Sequence, residues 1–130
     1  MPRIYLGDVY LIPTPPNGSH FYVAIAELAN DSYLFVNYST VQDSTPDEDI
    51  AYTLSPSRTF ASFLTRDSFF VFGRAQEFSS NDLDILIKKT GCKYIGAFSK
   101  SIVEEIQYAG VTSNSTKKKY KKILKKYLGL

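Results

Sequence analysis

Residues 20–38 read His20-Phe21-Tyr22-Val23-Ala24-Ile25-Ala26-Glu27-Leu28, then Ala29-Asn30-Asp31-Ser32, then Tyr33-Leu34-Phe35-Val36-Asn37-Tyr38. Aromatic and β-branched side chains fill both flanks, and such side chains pack well on a pleated, half-buried surface. Asn30-Asp31 carries turn chemistry between them. Residues 20–28 and 33–38 therefore read as two strands. A further strand is expected over residues 4–12, separated from His20 by Pro13-Thr14-Pro15-Pro16-Asn17-Gly18. The prolines fix φ and lack a donor, while Asn-Gly tolerates positive φ, so this separator is a loop. Downstream, after the polar stretch 39–49, residues 50–54 and 68–72 supply two more candidate strands. Fourteen of the nineteen Phe and Tyr residues lie in residues 1–78. Five short strands joined by turns predict a small, curled antiparallel β-barrel, with Tyr10, Phe21, Val23, Phe35 and Phe70 or Val71 in its core.

From Ser79 the pattern changes to helical period. Ser79 or Ser80 can cap a helix with Asp82 and Asp84 in its first turn, Leu83, Ile85, Leu86 and Ile87 as its apolar set, and Gly91 as its stop. A second helix is expected after Ser99, burying Ile102, Val103 and Ile106 and ending at Gly110. A third, from about Ser115, places Tyr120, Ile123, Leu124, Tyr127 and Leu128 on one stripe with lysines on the other faces. The fold class is thus α+β: a small antiparallel barrel over 1–78, then a helical extension over 79–130 packed on it as one compact unit. No internal repeat is present.

Composition bounds the function. The chain has 130 residues, 44% hydrophobic and 22% charged, which is ordinary for a globular protein and excludes general disorder. The longest apolar run, residues 21–26, is far short of the ~20 residues a membrane helix needs. Residues 1–4 lack the apolar region of a signal peptide, and the single cysteine excludes an intrachain disulfide, so a cytoplasmic protein with no membrane association is expected. Seven lysines (117, 118, 119, 121, 122, 125 and 126) crowd into residues 117–126 without an acid. Taking those seven from the fifteen basic residues leaves eight against thirteen acids, so residues 1–116 carry a formal −5. A split of this kind makes the tail, through Lys117, Lys118, Lys121, Lys122 and Lys125, the candidate contact for nucleic acid or an acidic surface. The alternative is that the tail folds back and neutralises its own body.

Cofactor motifs are absent: there is no glycine-rich phosphate loop, no paired-histidine metal motif and no G-x-S-x-G elbow, so no cofactor and no metal are expected. The cluster Asp43, Asp47, Glu48 and Asp49 lacks the spacing and glycine of a calcium loop and reads as solvated. His20, the only histidine, stands at a strand entrance beside a loop, where an ordinary imidazole both accepts and donates a proton or else simply caps the strand half-exposed. Asn37, Ser39 and Thr40 cluster at a strand exit, where hydroxyls and amides bind a phosphate or ribose or else simply start a turn. Arg58 and Arg66 can each clamp a phosphate or pair with a nearby acid. Cys92 reads as a partly buried, inert thiol.

Taken together, Gly7-Asp8-Val9-Tyr10-Leu11-Ile12, the Pro/Gly loop, residues 20–28 and Val36-Asn37-Tyr38-Ser39-Thr40 resemble the MazF/Kid/PemK type of toxin. The resemblance covers about residues 5–78. It implies a dimeric SH3-like barrel that cleaves single-stranded RNA without a metal and is restrained by a cognate antitoxin, here expected to be a small acidic protein. In such an endoribonuclease Thr40 matches the strand-end Ser/Thr. The family's Arg-Pro at the second-strand entrance is replaced by His20-Phe21-Tyr22. The implied roles are His20 as general acid or base, Arg58 or Arg66 stabilising the phosphorane, and Asn37, Ser39 and Thr40 positioning the ribose phosphate. Separately, residues 105–112 followed by Ser115-Thr116 resemble the turn of a helix-turn-helix domain, the alternative being a plain helical hairpin. Two function classes follow: a ribonuclease toxin, or a non-catalytic module whose basic helix docks on nucleic acid or an acidic protein.

Overall fold

The computed structural model describes residues 3–13, 18–40, 52–59 and 61–130. The acidic cluster 43–49, most of the Pro/Gly loop and the first two residues of the expected fourth strand lie outside them. The strands are β1 (Asp8–Pro13), β2 (Ser19–Glu27), β3 (Ser32–Thr40), β4 (Thr53–Leu54), β5 (Ser68–Ser79) and β6 (Lys93–Ala97). The helices are α1 (Ser80–Thr90), α2 (Lys100–Thr112) and α3 (Lys118–Leu128), and a short 3-10 turn spans Pro56–Arg58. The strands form one sheet in the order β4-β5-β3-β2-β1-β6, with every neighbour antiparallel. The molecule is a curled six-stranded half-barrel followed by helices, an α+β fold.

Residues 19–40 build the centre of this sheet. Asn30 and Asp31 take left-handed backbone at φ 59° and 58°, which lets β2 turn back as β3. Both strands are buried almost end to end, because both faces of the sheet are covered. On one face Val9, Val23, Val36, Tyr38 and Phe70 meet Ile102, Ile106, Tyr120 and Leu124 of α2 and α3. On the other, Tyr10, Tyr22, Ala24 and Phe35 meet Leu83 of α1 and Cys92. Of the expected core, Tyr10, Val23, Phe35, Phe70 and Val71 are buried, while Phe21 is half-buried and stacks on Tyr38 with ring centroids 5.1 Å apart.

Two irregularities curl the sheet. A bulge between Ala24 and Ala26 puts Ile25 and Ala26 on the same face, and a larger one in β5 sets Phe72 to Ala75 against Val36 alone. Bulges raise the local twist and bend the strand, as curling requires. Gly73-Arg74 within the second bulge breaks the apolar pattern, which is why the expected strand 68–72 is in fact twelve residues long.

The C-terminal half differs from its reading in one element. Residues 93–97, the link between the first two expected helices, form β6, an edge strand paired with β1 from Asp8↔Ala97 to Leu11↔Lys93. The capped helix is as its sequence suggests: Ser79 and Asp82 exchange hydrogen bonds in a capping box, and Gly91 closes the helix in left-handed backbone. Gly110 does not end α2, which continues to Thr112. It marks the crossing with α3 instead, where a Cβ would lie 2.7 Å from Leu124 Cδ1 and 2.9 Å from Phe72 Cε1. No helix among the described residues is long and apolar enough to cross a membrane.

Candidate nucleic-acid interface

Helix α3 concentrates positive charge that its own sequence does nothing to offset. Lys118/Lys122, Lys121/Lys125 and Lys122/Lys126 are like-charge pairs at i,i+4, each unfavourable by roughly 0.2–0.5 kcal/mol in an isolated helix. There is no acid in the first turn, and the capping position, Lys117, makes no side-chain cap. Such a helix stands because its apolar stripe is docked. Tyr120 and Leu124 are buried against the sheet and α2, and Tyr127 accepts a hydrogen bond from the Glu27 backbone N–H at 2.7 Å. One cation is answered: Lys119 pairs with Glu77 at 3.4 Å. Tyr120 donates to the same carboxylate at 2.6 Å, holding Glu77 below the usual carboxylate range. Lys117, Lys118, Lys122, Lys125 and Lys126 are exposed and Lys121 half-buried, with no ion pair among the described residues.

The residues that the sequence suggests for chemistry are distributed over different parts of the fold. His20 pairs with Ile12 and so faces the α1 side of the sheet, half-buried at the start of β2. Asn37, opposite Tyr22, and Ser39, two residues on, lie on that same side. Asn37 is only 1% exposed, its Nδ2 donating to Phe21 O at 3.4 Å and its Oδ1 finding no partner among the described residues. Thr40 stands opposite Ser68 and faces the α2/α3 side, as Tyr38 does. Arg66 is exposed in the turn before β5, its carbonyl accepting from Ser68 Oγ. The structure thus puts His20, Asn37 and Ser39 on one side of the sheet, and Thr40, Arg58 and Arg66 elsewhere.

Arg58 has a partner that the sequence reading missed. Its Nη2 donates to Glu105 Oε1 of α2 at 2.7 Å, and Tyr52 Oη donates to the same oxygen at 2.8 Å. Burial and then the hydrogen bond to Glu105 push the Tyr52 phenol up, and Glu105 also raises Arg58. The cluster therefore sets one guanidinium and one phenol hydroxyl on a single carboxylate oxygen. Two cavities flank it. One of about 370 Å³, at the start of α2, is lined by Arg58, Thr59, Ser99 and Ser101 among others. The other, about 550 Å³, lies along α2 beside Tyr52, Glu104, Glu105 and Tyr108. The signal available in the sequence was the spacing 101, 104, 105, 108, 112, one polar helical stripe.

The Gly7-Asp8 pair has a structural account. Gly7, at φ +100°, donates to Ala24 O and accepts from Phe98 N, while the buried Asp8 carboxylate accepts from the Tyr5 backbone N–H at 2.8 Å. Burial raises the Asp8 pKa despite that bond, and burial likewise pushes the Cys92 thiol up. Among the described residues no three His, Cys, Asp or Glu side chains converge to hold a metal ion. The chain matches no protein-family model and no curated protein sequence.

Proposed function

We propose that this protein is a nucleic-acid-binding module that grips a phosphate backbone with α3. The observation that carries the reading is the helix itself: lysines crowd its solvent side with one ion pair among the described residues, while its other side is fixed on the sheet. An external polyanion relieves the repulsion between those lysines and releases its own counterions, both favourable. Lysine ammonium groups on phosphates fix position and carry no base code, so α3 binds without strong sequence preference. Binding is preferred to the cleavage implied by the MazF-like resemblance because an endoribonuclease needs its proton-transfer group and its cation on one scissile phosphate. His20 faces the α1 side of the sheet, whereas Arg58 is held by Glu105 on the opposite side.

The test is incubation with a mixed single-stranded RNA pool in EDTA, resolved both natively and under denaturing conditions. A retarded band with intact RNA supports a binding module. Cleavage that is lost in His20→Ala would restore the ribonuclease reading, and neither retardation nor cleavage would remove both.

A further inference from the structure

Helix α2 presents a surface of the opposite character to α3. The ~550 Å³ cleft along it falls in the size range of small-ligand sites. Tyr52, with Glu104, Glu105 and Tyr108 of α2, lines it, and Ala109 and Leu128 are its apolar lining. The two carboxylates are not equivalent. Glu105 already holds Arg58 and Tyr52 through Oε1, whereas Glu104 has no ion pair among the described residues, although Lys100 stands one turn before it. Tyr108 holds a large ring 57% exposed at the edge of this cleft.

We propose that this cleft is a binding site for a primary ammonium on an alkyl chain. The ammonium takes the Glu104 carboxylate and the face of the Tyr108 ring, and the methylenes lie on Ala109 and Leu128. One uncompensated carboxylate calls for one positive charge. An aromatic face within reach favours a cation over a neutral donor. The apolar lining suits a chain whose methylenes pack there while its charged end stays near water. Phosphate is disfavoured here by both carboxylates, so the site is distinct from the lysine face of α3, although Leu128 at the end of that helix lines it. The chemistry has two sources, a free alkylamine or the lysine side chain of another protein.

Titrating the ¹⁵N-labelled full chain with pentylamine, pentanol and Nα-acetyl-lysine N-methylamide distinguishes them. Pentylamine is expected to give saturable amide shifts at Glu104, Tyr108 and Ala109, and pentanol none. Glu104→Gln is expected to weaken pentylamine roughly tenfold, the worth of a charge-assisted contact. Tyr108→Ala should weaken it about three- to fivefold. Both positions are exposed, so neither variant threatens the fold. A lysine amide that binds as well as pentylamine identifies a protein side chain as the source, and one that does not bind identifies a free amine. No saturable shift up to about 10 mM pentylamine, or shifts unchanged in Glu104→Gln, would overturn the site.

Discussion

The Gln107 side-chain amide donates to the Ile25 carbonyl at 2.7 Å, across a sequence separation of 82 residues and fully inside the protein. Ile25 is the bulged residue of β2, and a bulge leaves backbone groups without a ladder partner. Two residues further along, the Glu27 N–H is met by Tyr127 of α3. The helices are therefore registered on the sheet by backbone groups of β2 that its bulge, and its run past the start of β1, would otherwise leave unpaired, and not by apolar contact alone.

Gln107→Leu keeps the volume and removes the donor, leaving a buried carbonyl unsatisfied. It is expected to cost about 1–3 kcal/mol in urea unfolding at unchanged m-value. A change within about 0.3 kcal/mol would mean that the bulge carbonyl finds another partner.

Gly7→Ala tests the entry to β1. The residue sits at φ +100°, and an added Cβ would lie 2.6 Å from the Phe98 carbonyl oxygen, a backbone atom that cannot swing away. Strain and clash together should exceed about 2 kcal/mol, enough to lower the melting temperature by roughly 8 °C or more. Gly18→Ala, where a Cβ meets nothing within 4 Å, is the comparison and should cost less.

The Glu77–Tyr120 contact gives α3 docking a dependence on pH. Glu77 is held below its ordinary value of 4.5, chiefly by the Tyr120 hydroxyl, so its contribution is present above pH 4.5 and lost as pH falls through the lowered value. Tyr120 is pushed up to about 12, by burial first and then by Glu77, so its contribution is present below pH 10 and lost as pH rises through about 12. Melting temperatures of wild type and Tyr120→Phe should therefore differ most between these limits and converge in acid. A constant difference down to pH 3 would contradict the linkage.

Much of the architecture is written locally. Ser79, Asp82 and Gly91 announce α1 at both ends, and the apolar runs about Asn30-Asp31 announce β2 and β3. What stayed hidden depends on distant partners. β6 is five residues long, lies at an edge and is half-exposed, so Lys93-Tyr94-Ile95-Gly96-Ala97 carries no alternation to read. Gly110 looks like a helix stop because the crossing that needs it, with Leu124 and Phe72, exists only in three dimensions. Of the interface, the lysines were legible from charge alone. The engagement of Arg58 was not, since Glu105 lies 47 residues away.

Whether α3 grips a phosphate backbone is decided by the salt dependence of single-stranded RNA affinity, measured by fluorescence anisotropy from about 50 to about 200 mM salt. Truncating α3 would expose the sheet that Tyr120 and Leu124 cover, so the comparison is the triple variant Lys118→Gln, Lys122→Gln, Lys125→Gln, which changes charge on exposed positions and leaves the docked stripe alone. Each lysine on a phosphate contributes about 0.7 to the slope of log affinity against log salt, so the expected slope is flatter by about 2 in a variant with unchanged circular dichroism. A slope identical to wild type, or a wild type whose RNA binding is indifferent to salt, would contradict it.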